Sequence, residues 1–129
     1  MATSHVSRDQ LSVEQTGDYQ ARRAELPDGY TVSFELMPAG TGGPELYKGL
    51  PEDACQTPHW GYLFKGRFKA TYTDGSEDVV SGGEAYYLRA GHIYEVLEDC
   101  ESVEFSPTGE WRQTVEQMTK NVEAMEAGG

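Results

Sequence analysis

The sequence predicts an all-β barrel closed by one C-terminal α-helix, and three observations carry that expectation. From Trp60 to Ser106, short alternating runs are separated by turn signals such as Thr73-Asp74-Gly75 and Ser81-Gly82-Gly83. This is the spacing of a sandwich or barrel of short strands. After Pro107 the period changes: Trp111, Val115, Met118, Val122 and Met125 recur every three or four residues, one apolar stripe along a helix. The length of 129 residues suits one domain. The apolar content of 37% is lean, but two Trp, eight Tyr and four Phe can each bury a large area.

Taken in order, residues 1–17 read as a polar, flexible N-terminal arm, most clearly over the first twelve positions. Residues 18–106 form the barrel. Within it, 19–25 and 31–36 are strands joined by Leu26-Pro27-Asp28-Gly29, a run with the right turn chemistry. Val32, Phe34 and Leu36 share one face of the second strand. Residues 37–58 are rich in Pro and Gly and have no clear period. A loop of that length in a compact domain is a lid, a partner-contacting arm or a packed Ω-loop. Leu46, Tyr47, Leu50 and Cys55 argue that it packs on the body. Further strands are expected at 62–65, 67–73, 77–80, 85–88, 94–97 and 101–106. Ser106-Pro107 reads as the N-cap and first turn of a helix over 107–129, with Gly128-Gly129 as its stop. The helical stripe either seals the barrel or meets a second subunit.

Charge and composition exclude some functions. A formal charge of -12 repels phosphate backbones and anionic membranes, so no nucleic acid and no membrane partner is expected. No apolar run reaches the roughly 18 residues of a membrane helix, and the start of the chain has no apolar core for a signal peptide. The expected location is the cytoplasm, where Cys55 and Cys100 are free thiols rather than a disulfide. Cys100 reads as a small buried residue. Gly40-x-Gly42-Gly43 is not followed by a helix or by Lys-Ser/Thr, so it is not a phosphate loop.

Two motifs add a resemblance. Tyr62-Leu63-Phe64-Lys65-Gly66, and the run from Gly83 to Gly91, match in type and spacing the two signature segments of a small single-domain cupin. Cys55-x-x-Pro58-His59-Trp60-Gly61-Tyr62 is similar to the signature of one subgroup of such cupins. The resemblance implies a jelly-roll-like barrel, a pocket for a small molecule, and a homodimer. It also implies where ligands would lie. His59 falls at the family's metal-binding Glu, Cys55 and Asp53 at its two first-motif His, and Tyr94 at its last His, with His92 and Glu95 beside it. Arg89 stands in place of the second motif's Pro. None of the four usual ligand positions holds its usual residue.

The candidate chemistry centres on Cys55, His59 and His92. Thiolate and imidazole suit a divalent transition metal. Zinc is the first choice, because the common non-haem iron set contains a carboxylate; iron, nickel and manganese are the others. His92 and Tyr94 would share a face of one strand, placing Glu95 on the opposite face unless a bulge intervenes. In this reading His59, His92, Tyr94 and Glu95 are candidate catalytic residues. Trp60, Tyr62, Phe34 and Tyr87 are the candidate lining of a substrate pocket, although core or dimer contact is the plainer role for Trp60 and Tyr62. Without metal, His59 or His92 with Glu52, Glu95, Tyr62 or Tyr94 would suit proton transfer in a dehydratase, isomerase or cyclase. Cys55 as a nucleophile, haem ligation by Cys55 and His59, and a binding or sensor protein without turnover are further readings.

Overall fold

A computed structural model of the chain describes residues 4–128. Seven antiparallel strands are followed by one helix: β1 Glu14–Thr16, β2 Tyr19–Leu26, β3 Tyr30–Met37, β4 His59–Tyr72, β5 Glu77–Ser81, β6 Glu84–Leu88, β7 His92–Pro107 and α1 Thr108–Gly128. The strand order is β1-β2-β3-β7-β4-β5, with β6 also on β4. Two long strands organise it. β4 and β7 pair from Trp60↔Phe105 to Tyr72↔His92, with register shifts between Leu63 and Phe68. The bulged ladder bends both strands, as bulges do. One half of β7 pairs β3, and the two halves of β4 pair β6 and β5. The sheet thereby curls around Met37, Leu63, Phe68, Ala70, Tyr72, Val80, Leu88, Val96 and Cys100.

Several expected boundaries differ. The segments at 62–65 and 67–73 are one strand, because Gly66 is a bend at φ +92° within the bulge and not a turn. The segments at 94–97 and 101–106 are likewise one strand. Three residues assigned to the N-terminal arm, Glu14–Thr16, belong to the sheet, paired with Ala21, Gln20 and Tyr19. Ser106 does not cap the helix; its hydroxyl is held by His59, and Thr108 N instead donates to Gly29 O. Residues 1–3 of the arm and the final Gly129 lie outside the described residues.

The largest difference is one of parity. On β3 the residues that face the interior are Ser33, Glu35 and Met37, each at most 5% exposed, while Leu36 is 41% exposed. Val32, Phe34 and Leu36 do share a face, as expected, but it is the outer one, and of the three only Val32 is buried there. Strand pairing carries this parity across the sheet. Phe34 lies opposite Val103, Val103 opposite Tyr62, and Trp60 opposite both Phe105 and Tyr87. These apolar side chains form the outside of the sheet.

The segment 37–58 is not a free flap. Gly40 N donates to Val96 O, Val96 N to Thr41 O, Gly43 N to Tyr94 O and Cys55 N to His92 O, so the loop pairs with the exposed edge of β7. Leu46, Tyr47 and Cys55 pack with Ile93, Met118 and Val122. Asn121 of α1 donates to the carbonyls of Leu46 and Lys48, each at 2.8 Å. The helical stripe seals this loop and one end of the barrel.

Candidate functional site

Strand starts and the loop bring three chemical groups together. His59 opens β4, His92 opens β7, and Cys55 lies in the loop segment bridged to His92. All three are buried, and their ligand atoms lie within 4.8 Å of one another. Cys55 Sγ is 3.6 Å from His59 Nε2. The two imidazole rings are edge to face, with centroids 5.2 Å apart.

The hydrogen bonds orient these groups. His92 Nδ1 donates to the Arg89 carbonyl at 2.7 Å. A carbonyl only accepts, so the proton of a neutral His92 is on Nδ1 and Nε2 carries a lone pair. That Nε2 is buried and has no hydrogen-bond partner. His59 Nδ1 is 2.7 Å from Ser106 Oγ, which leaves Nε2 toward Cys55. Burial lowers both imidazoles to a pKa of about 4; the Glu35 charge opposes this at His59, and His59 adds to it at His92. Burial also pushes the Cys55 thiol up to about 11. Two neutral imidazoles and a thiol therefore converge, with an unpartnered lone pair among them.

A second polar cluster lies deeper in the barrel and was not expected. Glu35 on β3 and Glu104 on β7 both face inward. Glu35 is opposite Ser102; Glu104 is opposite Ser33 and, on its other side, Gly61 of β4. The two are diagonal neighbours across the β3–β7 ladder, and each carboxyl acts on the other's ionisation. Tyr19 Oη donates to Glu35 at 2.8 Å, and Arg23 donates to Tyr19 Oη at 2.7 Å. Gly61 makes room for Tyr86: a Cβ there would sit 2.6 Å from the Tyr86 hydroxyl oxygen. Burial, reinforced by the Glu104 charge, raises Glu35 to a pKa of about 7, and burial raises Glu104 in the same direction. The hydroxyls of Ser33 and Ser102, both buried, have no hydrogen-bond partner.

The clusters are joined through aromatic contacts. Trp111 of α1 stacks edge-on against His59 at 5.5 Å, and the Arg23 guanidinium lies 5.3 Å from the Trp111 ring centre. A cavity of about 620 Å³ opens between β1, β2, the loop and α1. Tyr19, Arg23 and Tyr94 line it on the barrel side; Leu46, Met118 and Val122 line it on the other.

The expected site residues divide accordingly. Cys55, His59 and His92 are together, and Tyr94 points into the barrel beside them, its hydroxyl 3.6 Å from Met37 Sδ. Glu95 is on the opposite side of β7, against Gly43 of the loop, because β7 alternates without a bulge there. Glu52 is exposed on the loop. Trp60, Tyr62 and Tyr87, at 45%, 39% and 50% exposure, point out of the barrel, and Phe34 lies on the same outer face. A buried His59 at the start of β4 requires an outward Trp60. Cys100 is a buried free thiol of the core, as expected.

No protein-family model and no curated protein sequence matches this chain. Solved structures do match. An RmlC-like cupin from Shewanella frigidimarina superposes with a TM-score of 0.60 at 16% identity, over 82% of this chain and 93% of that one. Oxalate decarboxylase from Bacillus subtilis gives a TM-score of 0.60 at 16% identity over 83% of this chain, which spans only 30% of that larger protein. A polyketide cyclase from Streptomyces resistomycificus gives 0.57 at 17% identity, over 82% and 80% of the two chains. No helix among the described residues is long and apolar enough to cross a membrane. The bent sheet, its inward alternation and these superpositions together assign the chain the cupin fold.

Proposed function

We propose that this protein binds a divalent transition metal through Cys55, His59 and His92, and is an enzyme acting on a small organic molecule in the barrel. One observation carries the reading: three buried ligand atoms lie within 4.8 Å of one another, and one of them, His92 Nε2, has no partner. The donor set fits the ion. Both imidazoles are neutral, and each is oriented by a hydrogen bond from its far nitrogen, to Arg89 O and Ser106 Oγ, the usual support of a ligating His. One thiolate and two imidazoles favour zinc over iron, nickel or manganese. The ion, when bound, would polarise a substrate oxygen or activate water. Tyr94 and the buried carboxyls face the same interior; Glu95, on the opposite side of β7, has no place in this chemistry.

Elemental analysis of protein purified without an affinity tag tests this. About one equivalent of metal is expected, lost in Cys55→Ser, His59→Ala and His92→Ala. Ser106→Ala should weaken zinc binding by roughly tenfold or more. Wild-type protein that takes up no zinc, iron or nickel on reconstitution would overturn the metal reading. The barrel would then be a metal-free acid–base pocket of the dehydratase, isomerase or cyclase type, or a binding or sensor protein. The Glu35–Glu104 pair supports the first of these, and the solved polyketide cyclase shares the fold.

We also propose a homodimer through the outer sheet face. Trp60, Tyr62, Phe64, Tyr87 and Phe105 are each at least 39% exposed and adjoin across β4, β6 and β7. Exposed apolar area of this extent marks an interaction surface. Its border carries both signs, with Arg8 and Arg22 beside Glu101, which suits a two-fold contact of the patch with itself. Analytical ultracentrifugation should give twice the chain mass, falling to the single-chain mass in a Trp60→Glu, Phe64→Glu double variant. A monomeric wild type would refute the dimer.

A further inference from the structure

Two acidic side chains inside a barrel need an explanation that packing does not supply. Glu35 and Glu104 sit diagonally across the β3–β7 ladder, both facing inward, and each carboxyl acts on the other's ionisation. Two ionised carboxylates at that separation repel, whereas a carboxyl and a carboxylate attract through one shared proton. Every element around the pair has been arranged to hold it. β2 supplies Tyr19 and Arg23, β6 supplies Tyr86, and β7 supplies Tyr94. Two basic groups lie near it among the described residues: His59, which is neutral, and Arg23, whose charge is already met by Glu14 at 2.7 Å.

The chamber is not satisfied from within. Ser33 Oγ and Ser102 Oγ, opposite Glu104 and Glu35 in the ladder, are buried and unpartnered. Buried hydroxyls without partners are uncommon in folded proteins and point to a missing polar occupant. A route to the chamber is present. Neither carboxyl lines the cavity itself, but Tyr19, whose hydroxyl holds Glu35 at 2.8 Å, is part of the cavity wall, so the way in leads past that ring. The cavity also selects by charge. Glu14, Glu123 and Glu126 line it against the single cation Arg23 among the described residues, which disfavours anions.

On the reading that the barrel is a reaction pocket, we infer that Glu35 and Glu104 are its proton-transfer centre, serving an uncharged or cationic organic ligand with an apolar body. The carboxylate of the pair accepts a proton from carbon or oxygen of the ligand. The carboxyl of the pair donates one to another ligand atom, so the pair returns to a single shared proton. Metal at Cys55, His59 and His92 is not required for this exchange.

The test uses nitrobenzisoxazole, an uncharged probe opened by base. A carboxylate takes the ring C–H proton, that electron pair forms the nitrile, the N–O bond breaks, and a coloured phenolate leaves. The carboxyl then returns its proton to water. The full-length protein, with and without prior chelation, should show saturable ring opening on the order of 10²-fold faster than acetate at equal carboxylate concentration. The rate should rise with pH toward neutrality as the pair passes from two protons to the single shared one, and chelation should not change it. Glu35→Gln and Glu104→Gln should each lower it by roughly tenfold or more, while Glu116→Gln on the exposed face of α1 should not. Two variants are used so that misfolding of one does not leave the question open. Ring opening no faster than acetate, or unchanged in both glutamine variants, would overturn the assignment. Metal content is measured on the same preparations, so loss of the metal reading and loss of this one are separately visible.

Discussion

Replacing Gly66 with alanine is expected to destabilise the protein by about 3 kcal/mol or more, combining backbone strain with overpacking. Gly66 holds φ +92° inside the β4–β7 bulge. A Cβ there would stand 2.2 Å from the Asp99 carbonyl oxygen and 2.9 Å from Cys100 Cα. Both are backbone atoms of the partner strand, so no side chain can swing aside. The two strands would have to part where the sheet turns over the core. Gly75 gives the control. Its φ is +90°, but nothing lies within 4 Å of its Cβ position, so Gly75→Ala isolates the cost of the left-handed backbone, about 1–2 kcal/mol. Urea unfolding of the two variants separates the terms. Equal losses would mean that the bulge yields freely, and that the bend of the barrel is softer than its geometry implies.

The metal-free protein is expected to lose stability as pH falls from 6.5 to 5, and to lose more once Glu35 is removed. The imidazoles of His59 and His92 have a pKa of about 4 when folded, against 6.5 when exposed. Below pH 6.5 the unfolded chain therefore binds protons that the folded chain does not, and stability drops until pH approaches 4. Glu35 acts in the opposite direction. Its folded pKa of about 7 exceeds the ordinary 4.5, so the folded chain binds the extra proton, and stability drops as pH rises from 4.5 to 7. Each unmatched proton is worth about 1.4 kcal/mol per pH unit. The two imidazoles outweigh the one carboxyl by about 2 kcal/mol between pH 6.5 and 5, and Glu104 offsets part of that. In Glu35→Gln the counterweight is gone, and the loss should approach about 4 kcal/mol. Urea midpoints of chelated protein at the two pH values measure both. Identical losses in wild type and Glu35→Gln would show that Glu35 ionises normally in the folded state.

The sequence made the first cluster legible and concealed the second. Cysteine and histidine are rare in this chain, so their convergence at Cys55, His59 and His92 could be read from residue type and strand placement. Glu35 and Glu104 could not. In Thr31-Val32-Ser33-Phe34-Glu35-Leu36, alternation shows that two faces differ, but does not say which one is inside. The ordinary rule sends the apolar set inward. Here it fails because the part of the interior that β3 faces is a polar chamber, beside the apolar core, while the outer face opposite it is apolar. The same inversion placed Trp60, Tyr62, Phe34 and Tyr87 in the pocket when they lie outside it. The fold class survived because turn spacing and the helical stripe do not depend on that choice. The merging of strands at Gly66 was hidden because a glycine in a bulge and a glycine in a turn look alike in one dimension.

The two ends of the strand order carry a consequence for how these molecules meet in concentrated solution. At one flank lies β1, only three residues long; at the other lie two five-residue strands side by side on β4, β5, which begins Glu77-Asp78, and β6, which begins at Glu84. The free edge of β7 is occupied by the chain's own segment from Gly40 to Cys55. Short, charged or covered edges are poor templates for a foreign strand, and edge growth is the usual route from a β-protein to a fibril. The exposed aromatics sit on a broad face, where the two-fold contact proposed above would close after two copies. A dimer of that kind would direct crowding toward a finite assembly instead of an endless one.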